Sequence, residues 1–188
     1  MRPLRLQYNA PVVLTFSLLS LGALIFGMLT GGGSTRLLFC VYRAPLTDPL
    51  TYVRMFTHVL GHANYTHFIG NIMLLLVIGP PLEEKYGSRT LLAGILLTAG
   101  VSGILQCVFF PGSALLGASG IVFMLIMLAS LAGMKDGRIP LTLILAAVLY
   151  LGQEVYAMVV LRDNVANFMH LVGGVTGTVF GVVLAKRR

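Results

Sequence analysis

The 188-residue sequence predicts an all-α polytopic membrane protein with six transmembrane helices. Three observations carry this expectation. Hydrophobic residues make up 57% of the chain and charged residues only 10%, a balance that soluble domains do not show. The apolar residues gather into six runs, at 11–29, 67–82, 90–110, 119–133, 140–160 and 167–185, separated by polar breaks. A hydrocarbon core about 30 Å thick takes roughly 20 helical residues, or fewer where an end stops below the surface, and helices satisfy their backbone groups internally. Finally, the basic residues divide unevenly between the two sides. With both termini cytoplasmic, nine lie inside (Arg2, Arg5, Lys85, Arg89, Lys135, Arg138, Lys186, Arg187, Arg188) and four outside (Arg36, Arg43, Arg54, Arg162), the sense of the positive-inside rule.

The first run follows Arg2 and Arg5 as a secretory signal would, but no A-x-A-like cleavage site follows it, so it reads as an uncleaved span. Residues 30–66 then hold almost all the irregular chain. Their mixture of Pro45, Pro49, apolar and basic residues suits a segment lying at the membrane interface. The remaining spans follow one another through very short connections. The whole chain, 1–188, reads as a single transmembrane domain.

The net charge of +7 is explained by topology and by contact with anionic lipid, without a nucleic-acid partner. Cys40 and Cys107 show no metal spacing; a disulfide between them is one possibility and apolar packing the ordinary reading. His58 and His62, four residues apart with His67 nearby, raise a zinc site. There is no H-E-x-x-H pattern and no acidic ligand, so they fit better in a hydrogen-bond network of the first loop. Asn64-Tyr65-Thr66 matches a glycosylation sequon, which matters only in a eukaryotic secretory setting.

Charged residues at the inner ends of spans two, four and six serve as a ruler. Sixteen residues back from Glu83, Lys135 and Lys186 stand His67, Ser119 and His170. At 1.5 Å per residue all three would lie about 24 Å above the cytoplasmic boundary. The three spans run in the same direction, so an alcohol and two imidazoles share one level. Polar residues inside spans face the bundle or a water-filled cavity and suggest function.

A serine and a histidine are the minimum for covalent acyl transfer: neutral imidazole accepts the hydroxyl proton as oxygen attacks a carbonyl, then returns it to the leaving amine. No carboxylate lies at that depth on spans two, four or six, which favours a dyad over a triad. Ser119 opens span four, where first-turn N–H groups lack partners and the helix dipole favours an anion. His67 and Asn71, four apart, share a helix face, and either could donate to the same oxyanion. Taken alone, Asn71 bonding a neighbouring helix and His67 anchoring span two would be the ordinary readings. Phe123, one turn after Ser119, could pack against His170. Gly173, Gly177 and Gly181 form a smooth stripe that would bring span six against span four.

With GASG at Ser119, HFIGN with His67 and Asn71, FTHVLGH before it, the EEKYGS break, and HLVGG with His170, the chain resembles the rhomboid family of intramembrane serine proteases over nearly its whole length. The resemblance implies a six-helix rhomboid-like bundle, Ser119 as nucleophile, His170 as general base, and His67 and Asn71 as oxyanion donors with the Ser119 amide. It also implies a partly membrane-embedded first loop and a fifth span that moves to admit a substrate helix. The chain departs from the family's pattern at Val53-Arg54, where Trp-Arg is common, at Phe123, often Tyr, and at Met169, often Ala. None of these removes a reacting group.

The expected activity is hydrolysis of peptide bonds in or beside transmembrane segments of membrane protein substrates, with the lipid bilayer as medium and no cofactor or metal. The alternative is a non-catalytic rhomboid-like protein that binds transmembrane helices. Such proteins commonly lack the serine or the histidine, and both are present here. A transporter reading would use Glu154, but neither an inverted repeat nor a charged intramembrane pair accompanies it. The expected location is the bacterial inner membrane.

Overall fold

The computed structural model describes residues 7–132, 138, 141–146, 148–149 and 164–186. The chain is mostly helical. Helix α1 (Pro11–Leu29) begins with Pro11 in its first turn, where proline's missing N–H costs nothing. Its next two N–H groups find an unusual acceptor: Val12 N donates to Glu83 Oε1 at 2.9 Å and Val13 N to Oε2 at 3.0 Å. Gly31 and Gly32, both at positive φ, end α1 and turn the chain into α2 (Gly33–Leu38).

Residues 30–66, expected as irregular chain at the interface, are largely folded. Strand β1 (Val41–Tyr42) pairs antiparallel with β2 (Ala114–Leu115), Val41 opposite Leu115 and Tyr42 opposite Ala114. Helix α3 (Pro49–Thr57) starts at Asp48, whose side chain accepts from Leu50 N at 2.9 Å, with Pro49 following as the first helical residue. Arg54, one of the four basic residues assigned to the outer side, is only 2% exposed. It donates to Asp48 Oδ2 at 2.7 Å and to Thr51 Oγ1 at 3.2 Å, and its guanidinium lies 4.6 Å from the Tyr42 ring centre. These contacts of the buried guanidinium tie α3 to β1, while its Nε has no hydrogen-bond partner among the described residues. A short 3₁₀ turn, His58–Leu60, completes the segment.

Helix α4 (Tyr65–Tyr86) is capped by Asn64, whose Oδ1 accepts from His67 N at 2.8 Å. The sequon asparagine thus uses its side chain as a helix cap. After Gly87, at φ 83°, comes α5 (Ser88–Phe109). Helix α6 (Ser119–Ala132) occupies the centre: Ile121 through Leu128 are all buried, as expected of a helix that is apolar all round. Its 14 described residues rise about 21 Å. Helices α7 (Leu141–Ala146) and α8 (Asn164–Lys186) follow.

Among the described residues three helices, α1, α4 and α5, are long and apolar enough to cross a membrane; α6 and the Phe168–Leu184 stretch of α8 are apolar and shorter. The predicted count of six spans is therefore matched in part. Most of the predicted span 140–160, with Glu154, lies outside the described residues, as do Arg2, Arg5, Lys135, Arg162, Arg187 and Arg188. Large apolar side chains such as Leu18, Leu29, Met73, Val77, Leu97 and Val108 point outward, which in water would be costly and in lipid is not.

Glu83 does not behave as the boundary marker that its charge suggests. It is 3% exposed, α4 continues past it to Tyr86, and its carboxylate also accepts the Ser88 hydroxyl at 2.7 Å. Two backbone donors and a hydroxyl are what make an acidic group tenable at this depth. Cys40 and Cys107 are free thiols. Cys107 Sγ donates to the Tyr42 carbonyl at 3.6 Å.

Candidate active site

The chain reaches Ser119 under tight control. Gly117 stands at φ 125°, a conformation that a side chain would strain. Its N–H donates to the His58 carbonyl at 3.0 Å, while Val122 N donates to the Ala118 carbonyl at 2.9 Å. Ala118 is thus the N-cap and Ser119 the first helical residue, so its own N–H is one of the first-turn donors without an intrahelical acceptor. The β1–β2 pair and the Gly117–His58 bond together fasten this approach to the folded first loop.

Gly117 is also where α4 meets the serine. A β-carbon there would fall 2.8 Å from His67 Cε1, 2.9 Å from His67 Nε2 and 3.9 Å from Asn71 Nδ2. The Nε2 edge of His67 and the Asn71 amide therefore face the backbone two residues before Ser119. Asn71 is buried, and its Nδ2 has no hydrogen-bond partner among the described residues. An unsatisfied buried donor costs about 1–3 kcal/mol, so its retention asks for an explanation.

From the other side α8 packs directly on α6. A β-carbon at Gly173 would come within 2.9 Å of Gly120 Cα, and one at Gly177 within 2.7 Å of Met124 Cα. The glycine stripe thus lets two helix backbones touch, as the sequence expects. It carries His170 to Phe123, whose rings stack with centroids 4.6 Å apart and planes 9° from parallel. The Met169 carbonyl lies 3.6 Å from a β-carbon position on Gly120, beside Ser119. Ser119, His67 and His170 are half-buried and Asn71 is buried; α4 meets the chain at Gly117 and α8 meets α6 at Gly120 and Phe123.

A cavity of about 10 Å³ borders Ser119, lined also by His58, Ser102, Gly120 and Met169. Larger cavities, of about 330 and 460 Å³, lie against the first loop. His58 and His62 are occupied within that loop, as the sequence suggests. His58 Nδ1 donates to the Arg54 carbonyl at 3.2 Å and its Nε2 stands 3.3 Å from Ser102 Oγ; His62 Nδ1 donates to the Leu60 carbonyl at 3.2 Å. Burial pushes both imidazoles down to about 4, with the charge of His67 a second cause at His62. Among the described residues no three His, Cys, Asp or Glu side chains converge as metal ligands.

Two features of the surroundings were not read from sequence. The Asp48–Arg54 hub had a local signal in Asp48-Pro49, a cap followed by a first-turn proline. The Glu83 cap on α1 bridges 71 residues of chain and leaves no local signal at all.

Apolar-faced helices packed around a central helix that opens on Ser119, with His67 and Asn71 against Gly117 and His170 against Phe123, define a polytopic membrane protein. The Rhomboid domain model matches residues 49–187, and the chain belongs to the rhomboid family. It is 30% identical over 141 residues to Rhomboid-related protein 1 of Caenorhabditis elegans, covering 70% of this chain and 39% of that protein. It is 32% identical over 128 residues to Rhomboid protease GlpG of Pectobacterium atrosepticum, covering 66% of this chain and 45% of that one. Rhomboid-related protein 2 of Mus musculus is 34% identical over 90 residues, 43% of this chain and 29% of the relative. The chain spans less than half the length of each. As a rhomboid with apolar helices it is an integral membrane protein.

Proposed function

We propose that the chain is an intramembrane serine endopeptidase that hydrolyses peptide bonds in or next to transmembrane segments of membrane protein substrates by a Ser119–His170 dyad. Ser119 Oγ attacks the scissile carbonyl as the His170 imidazole takes its proton; the proton then passes to the leaving amine. The Ser119 N–H, His67 and the Asn71 amide receive the oxyanion. Water repeats the sequence in deacylation, with His170 again the base. The cavity beside Ser119, about 10 Å³, is near the size of one water-sized probe.

The single observation that carries this reading is the orphaned Asn71 Nδ2, turned with His67 Nε2 toward Gly117 just before the serine. A donor left unpaired in the resting site has its acceptor in the tetrahedral intermediate. The family membership and the likeness to a relative named as a protease support it. The proposal takes residues 1–188 as one domain of six spans with both termini cytoplasmic, in a bacterial inner membrane, and needs no cofactor.

The test is a transmembrane reporter substrate in proteoliposomes, with fluorophosphonate labelling in parallel. Wild type is expected to cleave and to label, and Ser119→Ala to do neither. Cleavage by Ser119→Ala at the wild-type rate would overturn the nucleophile. A folded wild-type protein that binds transmembrane helices, yet neither labels nor cleaves, would make it the non-catalytic member.

A further inference from the structure

We infer that His62 is a positioning residue for His67: its buried ring is the wall that holds the His67 imidazole with Nε2 turned toward Gly117. This rests on the reading of His67 as an oxyanion donor. The His67 backbone is already fixed, since its N–H is the one that the Asn64 cap receives, at 2.8 Å. Its side chain is bounded on one edge by Gly117, where even a β-carbon would not fit. The other described ring against it is His62, edge to face, with centroids 5.2 Å apart and planes at 71°.

His62 is itself held. Its Nδ1–H donates to the Leu60 carbonyl at 3.2 Å, and its ring meets Phe68, one residue beyond His67, with centroids 5.4 Å apart at 86°. It is 3% exposed. Burial and the His67 charge push its pKa down to about 4, so it stands as a neutral ring. With the proton on Nδ1, Nε2 carries a lone pair, and that atom is buried without a partner among the described residues. Hydrogen bonding at Nε2 therefore does not account for an imidazole here; the shape of the ring and its contacts do.

Behind His62 lies a cavity of about 330 Å³ lined by Leu24, Gly27, Thr35, Cys40 and Ala63 among others. His62 stands between that space and His67. Truncating it would join the cavity to the space around His67 and free the imidazole to leave its rotamer. A donor displaced by about an ångström costs catalysis up to roughly 100-fold while leaving ground-state binding alone.

The experiment measures kcat and KM on a reconstituted transmembrane substrate. His62→Ala is expected to lower kcat about 10- to 100-fold with KM within about twofold of wild type. His62→Phe, which keeps a ring, should recover most of kcat, and His62→Asn, which keeps a donor near the Leu60 carbonyl but no ring, should not. In a His67→Ala background, His62→Ala should add no further loss, because it acts through the group already removed. Equal losses with and without His67, or an unchanged kcat in His62→Ala, would overturn the inference while leaving the oxyanion reading intact. If His67→Ala itself retains wild-type kcat, the oxyanion reading fails and this inference with it.

Discussion

The Phe123 ring lies flat on the His170 imidazole, 4.6 Å from centroid to centroid and 9° from parallel. Phe123 is one helical turn from Ser119, so the serine's own helix fixes the plane of the imidazole proposed to deprotonate it. The contact needs a flat face and no hydroxyl. An aromatic pair is worth about 0.5–1.5 kcal/mol beyond burial, or roughly two- to tenfold in rate if all of it serves orientation. Phe123→Leu is expected to lower kcat by that factor with KM little changed, and Phe123→Tyr to stay near wild type. Equal activity in Phe123→Leu would show that the stack is packing alone.

Gly173 and Gly120 set the distance between the two helices of the proposed dyad. A methyl at position 173 would stand 2.9 Å from Gly120 Cα, with backbone that cannot move aside. Overpacking of this kind costs about 1–3 kcal/mol, and here it also separates Ser119 from His170. Gly173→Ala is expected to lower the unfolding temperature in detergent and to abolish fluorophosphonate labelling. Gly22→Ala in α1, where beyond its own helix turn no atom of the described residues lies within 4 Å of the added carbon, is the control and should change neither. Labelling that survives in Gly173→Ala would mean that the helices have room to spare.

Continuous apolar runs made the long helices legible. The run 11–29 coincides with α1, and the run beginning at 119 starts where α6 starts. Ser119, His170 and His67 were visible because intramembrane polar residues are few and their spacing from the charged breaks matched, and Asn71 because it stands four residues after His67 on one helix face. What was not legible depends on partners distant in sequence. Arg54 was legible only as a basic residue of the outer side because nothing local announces the Tyr42 ring beneath it, and residues 30–66 looked irregular because their strand pairs with residues 114–115. Glu83 was read by its charge, whereas its position is decided by two N–H groups at the start of α1.

That carboxylate gives a graded prediction. Glu83→Ala leaves the Val12 and Val13 N–H groups without an acceptor inside the bundle, at a cost of about 1–3 kcal/mol. Glu83→Gln keeps one acceptor oxygen, and Ser88→Ala removes only the hydroxyl that donates to Oε1. Unfolding temperatures in detergent are expected to fall in the order Ala, then Gln, then Ser88→Ala, with the first much the largest. Glu83→Ala matching wild type would mean that water caps α1 equally well.

The last prediction concerns acid. His58 and His62 are buried as neutral rings whose pKa values are pushed down to about 4, chiefly by burial. In the unfolded chain each returns to about 6.5. The unfolded state therefore binds more protons in that interval. Their contribution to stability is complete above about pH 6.5, is lost progressively as pH falls, and stops changing below about 4. Asp48 acts in the same direction but lower on the scale, because its hydrogen bond from Arg54 holds its carboxyl below the ordinary carboxylate value. Its share persists above that value and disappears only as pH falls through the depressed one. The unfolding temperature in detergent is expected to drop between about pH 6.5 and about 4.5, before carboxylates contribute much. His58→Asn, which removes one titrating ring, should flatten the slope. A wild-type profile level across this interval would mean that the two rings take up protons in place, without straining the loop that carries Gly117.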